Sequence, residues 1–330
     1  MKTILLCSAL AALALIFVPS GQKEPETAAD VVLRIEQPAS APAAEPETPA
    51  AEETVRTVSL QTEDGVISEN ESDYLTAVLL SEMPSSFESE ALCAQAVAAR
   101  TFLARQRLAG KHTDCDVCAS SACCQSWTSR EDLEEKFGSD FSEAWAKAAS
   151  AVADTGEEIL TYDGAPIDAV YFSCSGGSTE SAVAVWGTDV PYLQAVESPG
   201  EQDALRYESE VRFSEDDLRA LLHSAAPEAQ LEGPASGWFG APVLTAGGGI
   251  ASIQIGGAAF SGTALRTLLG LNSTRFTVEA TDGEVVFRVS GFGHRVGLSQ
   301  YGANAMAKLG FDYRTILQYY YRGVKIEDAA

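Results

Sequence analysis

The sequence holds 330 residues, 46% of them hydrophobic, and carries a formal net charge of -25. That length and apolar content suffice for one large or two ordinary domains with a real core. The acidic balance excludes a nucleic-acid partner, because phosphate binding needs a basic surface.

Met1-Lys2 precede an apolar run from Ile4 to Val18 that ends in Pro19-Ser20-Gly21. A short basic stretch followed by an apolar one signals export. The run is short against the roughly 20 residues of a spanning helix, and no clean small-x-small cleavage site follows. An uncleaved anchor over residues 1–19 and a cleaved signal are equally supported by these residues. Residues 20–55 are Ala, Pro and Glu with almost no large apolar side chains, which predicts a disordered tether. The folded region is expected over residues 56–328.

Val58 and Leu60, then Val66-Ile67 after Asp64-Gly65, predict a first hairpin. Ser72-Asp73 are placed to cap a helix whose apolar residues are Leu75, Val78 and Leu79. Pro84 disfavours a helical Met83 and stops that helix. Glu88, Ser89 and Glu90 open an alanine-rich helix that ends near Gly110. Ser129 with Asp132 resembles a capping box for a helix to Phe137, and a further helix is expected over 142–154. EEILTY and APIDAVYFS flank Asp163-Gly164, a hairpin signal. Residues 214–225 form an amphipathic helix with Leu218, Leu221 and Leu222 on its apolar side. The stretch 232–248 reads as loop, IASIQI as a strand, TALRTLLG as a short helix and FTVEATDGEVVFRVS as another hairpin. Two helices, about 299–309 and 313–321, close the chain. Hairpins dominate the strands and helices are interspersed irregularly, which argues an α+β fold with antiparallel sheet.

Glu82 is the odd acid. It falls in the last turn of its helix, where the dipole is negative and a carboxylate is disfavoured, which pushes its pKa upward as a general acid requires. Composition alone favours a surface glutamate that tolerates the position. Residues 111–128, KHTDCDVCASSACCQSWT, hold four of the seven cysteines. One imidazole with two thiols suits zinc, and His112, Cys118 and Cys124 are evenly spaced; Cys115, Cys123, Asp114 or a water could complete the set. Disulfides joining Cys115 or Cys118 to Cys123 or Cys124 are the alternative in an exported domain. Cys174 reads as a small buried strand residue, and a thiol nucleophile there would need a base such as His294. Gln95 and Arg100 lie within an alanine-rich helix face and either satisfy buried backbone or orient Glu82. Trp186 reads as a core anchor more than as a platform for a sugar ring.

SEMP at 81–84 followed by EALCAQAVAART at 90–101 resembles the stage II sporulation protein D family of peptidoglycan-cleaving enzymes. YFSCSGGSTE at 171–180, VWGTDVPYLQAVESPG at 185–200 and GHRVGLSQYGANAMAKLG at 293–310 extend the resemblance, in the expected order, to most of the chain beyond residue 57. The resemblance implies a lytic transglycosylase acting on glycan already stripped of its stem peptides, with Glu82 as its acid and no second carboxylate. It also implies work in engulfment alongside stage II sporulation proteins P and M, and it favours the membrane anchor. Sugar hydroxyls would be met by Gln125, Tyr171, Ser173, Ser175, His294, Gln300 and Tyr301, with Gln95 and Arg100 in support. Gly176 and Gly177 would let backbone approach the glycan. Some members bind zinc through a His-Cys-Cys set, and the cysteine before Gln125 matches best, which selects His112, Cys118 and Cys124 for a structural zinc. Related amidase enhancers supply the alternative of a binding protein without chemistry of its own. Arg295 departs from the family pattern in the turn between Gly293 and Gly297, where it would change how the cleft meets substrate.

Overall fold

The computed structural model describes residues 56–281 and 283–329; the expected anchor and tether lie outside them. Among the described residues no helix is long and apolar enough to cross a membrane. The architecture is α+β, as the pattern of hairpins and helices predicts.

The alanine-rich helix is the axis of the first core. Ala91, Ala94, Ala96, Ala98 and Ala99 are all buried, and such small side chains let several elements approach one helix closely. This helix, α2 (Ser89–Ala109), starts without a side-chain cap at Glu88 and ends on left-handed Gly110. Against it pack α1 (Glu71–Glu82), α4 (Phe141–Asp154) and the strand β4 (Glu158–Tyr162). Two C-terminal helices, α8 (Gln300–Lys308) and α9 (Tyr313–Tyr320), cover the rest. The hairpin β1 (Thr57–Thr62) and β2 (Gly65–Asn70) is antiparallel as read, and a two-residue strand β3 (Val117–Cys118) adds to its other side in parallel. The short helix α3 (Arg130–Phe137) is capped by Ser129 as expected.

A second apolar cluster is built wholly from residues between Val211 and Val289. It joins the three-stranded sheet of β9 (Glu208–Ser214), β13 (Phe276–Thr281) and β14 (Glu284–Ser290) to α6 (Glu215–Ala225). A second sheet of β10 (Val243–Leu244), β11 (Ile250–Ile255) and β12 (Ala258–Ser261), with helix α7 (Gly262–Leu268), completes it. The first core draws on residues before Ser198 and after Gly293, so the second lobe is an insertion into the first.

Two local readings differ. Asn70 caps α1, its Oδ1 accepting from the Ser72 and Asp73 N–H groups, two residues before the cap expected at Ser72-Asp73. APIDAVYFS does not run on as one strand: β5 (Ala165–Pro166) pairs with β4, whereas β6 (Tyr171–Phe172) pairs in parallel with β15 (Leu298–Ser299). Beyond β6 the chain continues to zip against 292–299, through the bridges Cys174 to Phe292 and Glu180 to Val296. The short pair β7 (Gly177–Ser178) and β8 (Glu197–Ser198), the five-residue helix α5 (Ala182–Trp186) and the closing strand β16 (Lys325–Asp328) carry no clear pattern in sequence.

Arg295 sits at the seam between the lobes, not in a substrate cleft. Its side chain is 0% exposed and pairs with Glu180, 1% exposed, at 3.2 Å. Its Nε and Nη2 donate to the carbonyls of Ser175, Ser178 and Gly247. It holds a φ of 65°, a left-handed backbone that costs a non-glycine residue about 1–2 kcal/mol. Removing one partner of a buried pair strands the other charge. Arg295→Met should therefore lower the unfolding free energy by about 3–5 kcal/mol in urea titration, and adding Glu180→Gln should restore part of it.

Candidate active site

Glu82 is the last residue of α1. Pro84 forces Met83 into an extended conformation, φ -122°, so the helix stops where the sequence says it must. The turn beyond is pinned from three sides: Phe87 N–H donates to Pro84 O, Glu88 N–H to Asn304 Oδ1, and Lys147 Nζ to Ser85 O. The Glu82 carboxylate is half-buried, and Oε1 accepts the Ser126 N–H at 2.7 Å. Desolvation raises its pKa above the ordinary glutamate value. The Ser126 N–H and the neighbouring Gln300 and Tyr171 side chains oppose that shift and are outweighed. Burial, rather than the helix terminus the sequence points to, is the leading cause.

Glu82 opens into a cavity of about 400 Å³ whose lining includes Gln125, Tyr171, Ser173, His294 and Gln300, with Phe102, Phe172 and Phe292 as apolar walls. The parallel pairing of β6 with β15 is what brings Tyr171 and Gln300 together across more than a hundred residues. Tyr171 OH donates to Gln125 Oε1 at 2.8 Å, and Gln125 Nε2 donates to Ala99 O and Tyr74 OH. Tyr171 and Gln125 are thus fixed as one unit. His294 Nδ1 accepts the Val296 N–H at 3.1 Å, which assigns its ring proton to Nε2. Burial, then the charge of Arg266, lowers the His294 pKa to about 4, so the ring is a neutral donor at physiological pH. Gln300 Nε2 is buried without a hydrogen-bond partner among the described residues. Among the described residues Glu82 is the one carboxylate lining the cavity.

The other residues singled out from sequence lie elsewhere. Arg100 satisfies backbone, donating to Val152 O, Glu158 O and Thr155 Oγ1, and does not orient Glu82. Gln95 is fully buried in α2 with neither side-chain polar atom hydrogen-bonded among the described residues. Ser175 is buried, and both its N–H and its Oγ–H go to Glu201 Oε2. A Cβ on Gly176 would meet Gly291 N at 2.8 Å, and one on Gly177 would face the Arg275 guanidinium. These glycines serve the lobe seam rather than a ligand. Tyr301 packs edge-on to Phe87 at 4.9 Å, away from the cavity. Cys174 is buried as expected, and burial pushes its thiol up to about 11. Trp186 is no core anchor: it is 47% exposed, its ring 5.4 Å from that of His294.

The chain matches the Stage II sporulation protein family over residues 63–162. It is 35% identical over 260 residues to stage II sporulation protein D of Bacillus subtilis (strain 168), an alignment covering 78% of this chain and 74% of that protein. Its counterpart in Bacillus amyloliquefaciens is 36% identical over the same span. This chain belongs to the stage II sporulation protein D family. The amidase enhancer of Bacillus subtilis (strain 168) is also related, at 28% identity over 302 residues, 76% of this chain and 40% of that protein.

In this family member Glu201, which sequence reasoning missed, stands behind the site. It is buried and accepts from Ser198 and Ser299 Oγ through Oε1. Ser299 is the N-cap of α8, so Glu201 fixes the helix whose first residue is Gln300. No periodicity marks a carboxylate whose partners are Ser175, Ser198 and Ser299, spread over more than a hundred residues.

The cysteine loop lies against the same cavity, with Cys124 in its lining. His112, Cys118, Cys123 and Cys124 place their ligand atoms within 4.8 Å of one another, and His112 Nε2 lies 3.2 Å from Cys124 Sγ. Zinc bonds of 2.0–2.3 Å in a tetrahedron imply ligand separations of roughly 3.6 Å, so this donor set fits such an ion. Cys115, Cys118, Cys123 and Cys124 are all unbridged.

The raised pKa of Glu82 has a consequence for stability. A carboxyl whose folded pKa lies above its unfolded value contributes stability that is full below about pH 4.5 and lost as pH rises through the folded pKa. Glu82→Gln should therefore gain in stability relative to wild type as pH is raised from 4 to 8, read as the difference between their urea midpoints.

Proposed function

We propose that this protein is a lytic transglycosylase that cleaves the bond between N-acetylmuramic acid and N-acetylglucosamine in peptide-stripped glycan strands, in wall remodelling during sporulation. The observation that carries this reading is the solitary, desolvated Glu82 in a cavity lined by hydroxyl, amide and imidazole donors. Most glycosidases need two carboxylates flanking the scissile bond, one as acid and one as nucleophile or base. A transglycosylase does not, because the substrate's own C6 hydroxyl serves as nucleophile.

Protonated Glu82 donates its proton to the glycosidic oxygen as the bond to C1 of the muramyl sugar breaks. The C6 hydroxyl oxygen then bonds to C1, and its proton passes to the Glu82 carboxylate. The acid is regenerated, the product carries a 1,6-anhydro-muramyl end, and no water is consumed. Since Oε1 is held by the Ser126 N–H, Oε2 is the oxygen that loses and regains the proton. The Tyr171–Gln125 unit, Ser173, neutral His294 and Gln300 would hydrogen-bond sugar hydroxyl and acetamido groups.

Zinc, bound by His112, Cys118 and Cys124 with Cys123 as a fourth ligand, would be structural in this scheme. A closed set of four protein ligands leaves no position for substrate. Its contribution would be to fix the loop that delivers Gln125 and the Ser126 N–H to the acid. Chelator treatment should then lower the thermal midpoint and expose the three ligand thiols, Cys118, Cys123 and Cys124, to a colorimetric thiol reagent.

Digestion of peptide-free glycan strands with purified protein, followed by mass spectrometry, tests the chemistry. Anhydro-muramyl ends are expected from wild type and at least about 100-fold fewer from Glu82→Gln, the low end of general acid catalysis. Turnover should fall as pH rises through a pKa above the ordinary glutamate value, because the protonated form is the reactive one. Reducing ends in place of anhydro ends would reject the transglycosylase. Full turnover by Glu82→Gln would reject Glu82 as the acid. Strands bound but never cut would favour the enhancer role named for the more distant relative.

A further inference from the structure

Trp186 ends a helix too short to bury it. Ser181 caps α5 and Gly187, at φ 77°, terminates it five residues later. Ala182 is the one fully buried residue of the helix, with Val185 packed partly against the core. Val183 and Trp186, three apart and so on one face, are 48% and 47% exposed. Among the large apolar side chains exposed on the described residues, Trp186 is the single aromatic.

The indole is nevertheless held. Its ring lies 5.4 Å from the His294 imidazole at a 52° tilt, and that imidazole lies 5.7 Å from the ring of Phe172. Phe172 and His294 both line the Glu82 cavity. Phe172, His294 and Trp186 therefore make a row of three rings that starts in the cavity wall and ends at the surface. The row meets solvent with a large, fixed, apolar ring face.

The cavity itself, at about 400 Å³, is near the small end of ligand pockets, which run to roughly 1,000 Å³. A polymer cut there has to leave it along some wall. A pyranose ring presents a face of C–H groups, weakly positive, which suits the negative face of an indole. Hydroxyls at the sugar's rim stay in water, as the exposure of Trp186 allows.

We propose that Trp186 is a stacking platform for a sugar ring of the glycan strand outside the cleavage cavity, making it a further glycan subsite that reads strand length. This rests on the glycan-cleaving reading of Glu82. Chemistry at the scissile bond is set by Glu82, and the platform adds affinity for strands long enough to reach it.

The test uses full-length protein carrying Glu82→Gln, so that strands are bound without being cut. Tryptophan emission is followed while peptide-free glycan fragments of graded length are added. Binding is expected to shift the emission once fragments exceed a threshold length. Trp186→Ala in that background should abolish the shift and weaken binding of long strands about tenfold, whereas Trp186→Phe, which keeps a ring face, should retain most of the affinity. In the otherwise wild-type protein Trp186→Ala should raise KM for long strands, leave kcat unchanged, and leave the shortest cleavable fragment unaffected. A urea midpoint equal to wild type would show that the fold is intact. Unchanged affinity and KM for long strands in Trp186→Ala would overturn the platform and leave the Glu82 assignment standing. If the Glu82→Gln protein binds no glycan of any length, the glycan reading of the cavity fails and the platform fails with it.

Discussion

The buried pair of Arg295 and Glu180 is the constraint on which the rest of the arrangement depends. It joins the turn that carries His294 to the strand that follows Ser173, and ties both to the second lobe through Gly247 O. A buried pair of charges contributes little net stability compared with well-packed apolar residues, because desolvating both ions offsets their attraction. What it supplies is uniqueness: the guanidinium fits only if three carbonyls and one carboxylate converge on it. The surrounding chain gives way to admit it. Gly249 is glycine because a Cβ would strike Glu180 Oε1, and Gly247 because one would strike Thr179 O. Glu180 Oε2 has no hydrogen-bond partner among the described residues, so the seam is tightly specified without being maximally stable.

Glu201 repeats the logic a few residues away. Its four donors come from Ser175, Ser198 and Ser299, and Tyr320 OH joins Ser198 at 2.6 Å. Burial raises the pKa of Glu201 even so. Two buried carboxylates behind the cavity hold its walls, and a third, Glu82, lies within it with its pKa raised by burial. The difference is solvation and access, not residue type. Glu82 has one backbone donor and open space beside it, whereas Glu201 is surrounded by hydroxyls and has no route to a ligand.

Most of the fold could be read along the chain because its signals are local. The cap at Ser129, the stop at Pro84 and the hairpins around Asp64-Gly65 and Thr281 to Glu284 depend on a few adjacent residues. Glu82 stood out locally as an acid at the last turn of a helix, but composition alone left it a surface glutamate, and its burial depends on segments distant in sequence. Gln125, Tyr171, Ser173, His294 and Gln300 were found together through family motifs, and it took the parallel pairing of β6 with β15 to show why they meet. The motif residues that went elsewhere, Ser175, Gly176, Gly177 and Arg295, are bound up with the lobe seam. Nothing in their spacing separates a residue kept for packing from one kept for substrate. Trp186 was misread because a tryptophan is usually worth burying, and only the shortness of α5 leaves it out.

The cavity's economy of acids bears on which reaction it can run. An inverting hydrolase keeps its carboxylates about 6.5–9.5 Å apart to hold a water, and a retaining one keeps them about 5–5.5 Å apart. The walls around Glu82 offer phenyl rings, a phenol, hydroxyls, a thiol, amides and an imidazole whose one lone pair is taken by the Val296 N–H, so among the described residues there is neither a second carboxylate nor a free imidazole nitrogen to activate water. Raising the Glu82 pKa by burial keeps the proton available, but the same burial would strand a second ionised acid and push its pKa up as well. A site that relies on desolvation to arm its acid is therefore poorly suited to a second carboxylate, and well suited to a substrate that brings its own nucleophile.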